Sequence, residues 1–393
     1  MLRIKELIIN SIGPIMNLHL DFNDGMNIIC GANGIGKTTI LECIAQSFAY
    51  EGYTLKHNKF SEKGEFEIVC DNNGKLERLI THISGTRPYD KEECQYAGKD
   101  YSKDVIVFKT NRHLEYINVD AVRKDPIYNE IYVLSQMARS GSKYEETKSW
   151  FINRFLWSKH ENTLSSEQRS NYDLAIKVIN SMADGYSFSR VDHETNDIML
   201  NTPSGEIVIE QLSEGLMAYI VVLLGLIKEI EYRFKTPRIF VKNFDGILLI
   251  DELDVHLHPL MQAKLYSILH EILPKAQIFT STHSPHVIQV AKPHELIPLI
   301  RDDKGELRVN EVANREFGCQ GWTIEEILTD VMGMSDLRHQ SYKEELEKFN
   351  KAIDEENIEE SERAFELLSK MLHPNNVVLQ VLNVQRIKNL NND

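Results

Sequence analysis

The sequence predicts an α/β fold with a buried sheet, and three stretches carry that reading. "MNIIC" (26–30) is a short apolar run that enters a glycine-rich turn, "GANGIGKT" (31–38), and continues into the helical stretch "TTILECIAQSFAY". "GILLI" (246–250) and "QIFTST" (277–282) are apolar runs bounded by turns, as expected of strands covered on both faces.

The remaining elements follow from spacing. Residues 3–10 and 17–22 alternate apolar and polar, as half-buried strands do. Residues 64–84 read as a hairpin turning at Asn72-Asn73-Gly74, and "DVIVF" (104–108) as a further strand. Helical spacing covers 126–185 in pieces, broken near Gly141 and Ser142. One strand is expected at 206–211, with a helix from about Ser213. After about residue 320 the chain reads as almost wholly helical, with one acidic helix around 341–371 and a last helix at 375–390. No sustained heptads, internal repeat or low-complexity tract interrupts the pattern.

Composition narrows the function classes. A length of 393 residues suggests two or three units, and 42% hydrophobic with 26% charged residues suits a sizeable core. The longest strongly apolar run, 218–227, has half of the ~20 residues that a membrane span needs, so no membrane association is expected. The opening "MLRIKELIIN" carries charges and no small-residue cleavage site, which speaks against a signal peptide. Five scattered cysteines without a CxxC pair fit a reducing, cytoplasmic setting. The net charge is −15, and residues 301–393 alone hold 12 Lys+Arg against 20 Asp+Glu. Neither portion resembles an autonomous DNA binder.

Gly31–Thr38 matches G-x-x-x-x-G-K-[ST] without a mismatch, between a strand and a helix start. Curled backbone N–H groups and the helix's positive end suit the phosphates of ATP. Asn33, Gly34, Ile35, Gly36, Lys37, Thr38 and Thr39 are therefore the expected nucleotide contacts, with Lys37 on the β- and γ-phosphates and Thr38 as a Mg2+ ligand. Such a loop needs a carboxylate on a neighbouring strand. "ILLIDELDVHLHP" (247–259) supplies Asp251 for the metal and Glu252 to activate water. The plainer alternative is that both acids cap the next helix. His256 and His258 also invite a metal reading, but no third ligand is evident.

Three further motifs carry a resemblance. Leu212-Ser213-Glu214-Gly215 looks like the LSxG signature of ABC-type ATPases, and it stands between the glycine-rich loop and the Asp-Glu pair, in the order of that family. "STHSP" places His283 where such heads carry a switch histidine, and residues 252–258 where they carry the D-loop. The resemblance implies that Ser213 and Gly215 meet the γ-phosphate held by a second subunit, that His283 bonds the γ-phosphate, and that ATP closes a dimer. The usual glutamine loop is missing. Asn111, in "DVIVFKTNRHLEY", takes its place as a metal-shell candidate.

"DELDVHLHP" with "THSP" further resembles the OLD-like group. A stand-alone head followed by a helical region is similar to ATPase subunits of two-gene anti-phage defence systems such as Septu, retron-associated forms included, strongly over the ATPase motifs and loosely over the tail. That implies an ABC-type head over 1–300, with a mixed sheet core, an antiparallel β lobe, a helical lobe and a helical insertion at about 112–200. An acidic helical region, 301–393, would serve assembly or partner docking. It is too short and too helical for a Toprim nuclease, so cleavage is expected of an HNH nuclease partner, with DNA contacted by the complex. Trp322, Ile324, Ile327 and Leu328 could pack at home or on another subunit. The rival readings are an ATP-binding scaffold with little hydrolysis and a transporter-type ATPase.

Overall fold

Strands β1 (Leu2–Ile12) and β2 (Ile15–Asp21) form a hairpin, and β3 (Met26–Gly31) follows it into the glycine-rich loop and α1 (Lys37–Gln46). The computed structural model describes residues 1–49, 55–84, 98–112, 130–142, 146–313, 316–334 and 338–390, together with single positions between 113 and 129. β4 (Gly64–Asn72) and β5 (Lys75–Ile83) make the expected hairpin at Asn73-Gly74. They join the first two strands in an antiparallel sheet of order β2-β1-β4-β5, the β lobe.

The core sheet gathers β6 (Val105–Phe108), β10 (Ile247–Ile250), β11 (Gln277–Thr282), β12 (Leu296–Arg301) and β13 (Leu307–Val309) around β3. Its order is β13-β12-β3-β11-β10-β6, parallel except for β13. Successive residues of β10 show why its sequence has no polar alternation. Leu248 and Ile250 belong to one apolar cluster, whereas Ile247 and Leu249 belong to another with α1 and the β lobe. The Asp251 strand is not the direct neighbour of the glycine-loop strand, as the sequence suggested; β11 lies between them.

The helical lobe comprises α2 (Ile131–Ser140), α3 (Glu146–Ser158) and α4 (Ser166–Ser181), with Gly141 ending α2 as expected. The insertion is not purely helical. β7 (Ser187–Val191) and β8 (Ile198–Thr202) pair with β9 (Gly205–Val208) in a three-stranded antiparallel sheet. β7 is half-buried and polar at Ser187, Ser189 and Arg190, so it lacked an apolar run or a regular alternation to betray it. The strand expected at 206–211 ends at Val208 and passes through a 3-10 turn.

α5 (Glu214–Arg233) is buried along nearly all its length, which explains the apolar run within it. No helix among the described residues is long and apolar enough to cross a membrane. After α6 (Pro259–Ile272) and α7 (Pro285–Val290), the first compact unit ends at Met334 rather than near 300. The β12–β13 hairpin extends the core sheet. A short helix, α8 (Ile324–Glu326), leads into a π turn whose Ile327 is buried, with Trp322 and Leu328 packed on the main core. Those side chains pack at home.

The second unit, Ser335–Asp393, has three helices. The single acidic helix expected at 341–371 is two, α9 (Gln340–Asp354) and α10 (Ile358–Met371). The break is chemical: Glu356 adopts φ 54°, and the Asn357 side chain accepts from the Glu360 N–H to start a new helix. α11 (Val377–Leu390) completes the unit. Tyr342, Phe349, Ala364, Leu368 and Leu382 form its small core.

Candidate nucleotide-binding site

β3 runs straight into the loop 31–38, and the loop ends as the first turn of α1. Gly31 has φ 140°, and a Cβ there would stand 2.5 Å from the Leu299 carbonyl oxygen, so a side chain would push β12 away from the loop. Gly36 occupies the N-cap of α1 without a side-chain acceptor, which leaves the first-turn N–H groups for an anion. Asn33, Gly34, Gly36, Lys37, Thr38 and Thr39 line one wall of a cleft of about 710 Å³. Glu252, Asp254, His256 and His283 line the other. Ile35, also expected among the contacts, buries its side chain in the apolar cluster that holds Ile15 and Ile40, so only its backbone is left to the cleft.

Lys37 Nζ donates to the Gly31 and Ala32 carbonyls at 2.9 and 3.0 Å and lies 3.3 Å from His283 Nδ1. Burial pushes its ammonium down to about 8, against upward pulls led by Cys30 and then Asp254, Glu252 and Asp251. Because the ammonium can only donate, His283 Nδ1 is the acceptor. Burial, then the Lys37 charge, lowers the imidazole from its ordinary value. The ring is thus neutral at about pH 7 with its proton on Nε2, free to donate into the cleft.

Thr38 Oγ1 donates to Asp251 Oδ1 at 3.2 Å, and Ser281 Oγ donates to the same oxygen at 2.7 Å. The Glu252 N–H in turn donates to Ser281 Oγ at 2.7 Å. Glu252 holds φ 51°, a left-handed conformation that bulky residues take only when their surroundings impose it. Burial pushes its carboxyl up, and the charges of Asp251 and Asp254 add to the rise. The buried guanidinium of Arg112 braces the turn from beneath, donating to the Asp251 carbonyl and, at 3.4 Å, to the Leu253 carbonyl. Asn111 is exposed and does not line the cleft.

Asp254 joins the two acidic and histidine segments. Its Oδ1 accepts from Thr282 Oγ1 at 2.6 Å and from the His283 N–H at 3.1 Å. Ser213 is the N-cap residue of α5, yet its side chain makes no capping bond. Ser213 and Gly215 do not line their own chain's cleft. Gly215 lies against the D-loop, where a Cβ would approach the His256 carbonyl oxygen to 2.8 Å. Gly215→Ala should therefore displace the D-loop. ATP turnover is expected to fall on the order of 10-fold, and by more than nucleotide affinity falls, since small misplacements act on chemistry. Steady-state kinetics beside calorimetry check this; equal loss in both would refute it.

Ser281, Asp254, Arg112 and the cleft-lining Pro14 were not singled out from sequence. One signal existed: Thr280, Ser281 and Thr282 are polar yet wholly buried at the end of a core strand, where each polar group needs a partner. His256 and His258 join no group of three metal-ligating side chains among the described residues.

Residues 26–289 match the family model described as "AAA domain, putative AbiEii toxin, Type IV TA system". The chain is 42% identical over 390 residues to a protein of Bacillus thuringiensis named "Septu protein PtuA", covering 98% of both chains. It is 32% identical to "Retron Vc95 probable ATPase" of Vibrio cholerae serotype O1 biovar El Tor, over 74% of this chain and 72% of that one. Among solved structures, an SMC head domain from Thermotoga maritima aligns with 78% of this chain and 98% of that one, at TM-score 0.45 and 15% identity.

Proposed function

The chain belongs to the PtuA family of Septu proteins, and we propose that it is a Mg2+-dependent ATPase whose heads close in pairs on nucleotide to regulate a separate nuclease in a defence complex. The observation that carries the catalytic part is the convergence of Lys37, Thr38, Glu252 and His283 on one cleft, with the buried Asp251 bonded to Thr38. Thr38 and Asp251 are hard oxygen donors that already converge on each other, a donor set suited to Mg2+. When bound, the ion would neutralise phosphate charge.

The chain's own groups account for the remaining chemistry. Lys37 and the first-turn N–H groups of α1 orient the β- and γ-phosphates. Glu252, held in its left-handed turn, takes a proton from the attacking water. His283 Nε2–H donates to the terminal phosphate. Since Ser213 and Gly215 stand outside their own cleft, they are available to the nucleotide of a second copy, which supports the paired reading. The net charge of −15 supports leaving DNA cleavage to a partner.

The test joins two measurements on the purified chain. With Mg2+ and ATP, light scattering should show nucleotide-dependent association of heads. With DNA and Mg2+ or Mn2+, no cleavage should occur until an HNH nuclease from the neighbouring gene is added. Robust cleavage by the chain alone would sink the partner assignment.

Lys37 adds a pH signature. Its free-state value of about 8 must rise when phosphate charge arrives, so nucleotide binding should take up protons between pH 8 and roughly 10.4, and affinity should fall as pH climbs through that window. Calorimetry at pH 9 in two buffers of different ionisation enthalpy measures the uptake. Equal apparent enthalpies would contradict the assignment of Lys37 to the phosphates.

A further inference from the structure

A second cavity, of about 430 Å³, opens between the C-terminal end of α3, the start of α4 and the stretch that follows α5, and shares no lining residue with the nucleotide cleft. Its volume lies in the range that houses small organic ligands. Two aromatic rings wall it, Phe234 and Trp157, and the indole is 48% exposed. Four cations share the same lining, Lys124, Arg154, Lys235 and Arg238, with three carboxylates, Asp125, Glu167 and Glu231; Arg154 is taken up by Asp125 and Glu231, each at 2.6 Å.

Their company is unusual for an acidic protein. Among the described residues, neither Lys124 nor Arg238 forms an ion pair with a carboxylate, although the Arg238 charge reaches Glu167 in the same lining. Lys235 gives two of its three donors to backbone, the Asp125 carbonyl at 3.2 Å and the Pro126 carbonyl, and keeps one. Burial lowers its ammonium most; Asp125 pulls it back, and Arg154, Arg238 and Lys124 push it down further. With Asp125 and Glu231 answering Arg154, the other three cations face one remaining lining carboxylate, Glu167, so an arriving anion meets an excess of positive charge. An exposed indole beside them presents a flat face to a planar ring, and cations with aromatics form the platform on which bases and phosphates are held together.

We propose that this cavity is a second nucleotide site, taking the base of a nucleoside phosphate on Trp157 and its phosphate on Lys124, Lys235 and Arg238. It differs in kind from the cleft at Lys37, which grips β- and γ-phosphates; here a single phosphate suffices. Free nucleotides and the 5′-phosphorylated end of a nucleic-acid strand share this chemistry.

The experiment uses the full chain carrying Lys37→Ala, so that the first cleft is disabled. Four nucleoside 5′-monophosphates and a 5′-phosphorylated tetranucleotide are titrated while tryptophan fluorescence is followed. Binding with quenching is expected, and the tighter probe names the source. Arg238→Glu should weaken it ~10-fold or more, the scale of one lost charge-assisted contact. Trp157→Phe should remove the quenching while the fold, read by circular dichroism, persists. Three results would each overturn the proposal: no binding of any probe at millimolar concentration, binding indifferent to both Arg238→Glu and Lys124→Glu, or inorganic phosphate or an acidic peptide competing as well as the nucleotides. Because the P-loop is silent in this background, failure here leaves the ATPase reading intact, and failure of that reading leaves this titration unchanged.

Discussion

Glu252→Gln is expected to lower ATP turnover by ~10²-fold or more, the scale of a lost general base, while nucleotide binding persists. The amide is nearly isosteric but cannot take a proton from water, and the bonds that place it run through backbone. The Glu252 N–H still reaches Ser281 Oγ, and Arg112 still holds the Asp251 carbonyl. Paired heads should therefore accumulate with ATP. In the unaltered protein, activity should fall with acid at a higher pH than an ordinary carboxylate would give, because burial, Asp251 and Asp254 raise the Glu252 carboxyl. An unchanged, near-zero turnover in both proteins would instead favour ATP as a structural ligand.

Arg233→Met is expected to destabilise the first unit by about 3 kcal/mol, the scale of removing one partner from a buried ion pair, here one of the two cations on Glu229. Arg233 and Glu229 are both fully buried on α5, with Nε donating to Glu229 Oε2 at 3.1 Å. The same guanidinium donates to the Ser102 and Val105 carbonyls at 3.0 and 2.6 Å, tying α5 to the start of β6. Burial alone would push the Glu229 carboxyl up, but Lys228 and Arg233 outweigh it and hold it below its ordinary value. A lowered folded-state value means stability present above the unfolded value and lost as pH falls through the folded one. The destabilisation should thus be largest near neutrality and shrink in acid, where Glu229 protonates. Denaturant melts at two pH values check this, and a loss below about 1 kcal/mol at neutral pH would disprove it.

Much of the site was legible because its chemistry is local in sequence. The glycine-rich loop, the Asp251-Glu252 pair and His283 each sit at the end of an apolar run, and a buried strand leaves only its tip for charged side chains. The core strands were legible for the same reason: continuous apolar residues mean cover on both faces. What escaped depends on contacts made at long range. Arg112 is buried only because it reaches backbone carbonyls of residues 251 and 253, and nothing beside it in sequence announces that. β7 was missed because a half-buried, polar strand has no strong period, and the split between α9 and α10 because charged residues continue across it. Burial of the Ile35 side chain in the core was not legible from the motif, which leaves only its backbone to face the cleft.

The Ser281 hydroxyl has a consequence for regulation. It has one hydrogen, given to Asp251, while its lone pairs hold the backbone of Glu252. On the proposed function, a cation drawing on the Asp251 carboxylate would act on the first bond, and the second would respond because the two polarise each other. The hydroxyl would then couple cation loading on one side to the turn that carries Glu252 on the other.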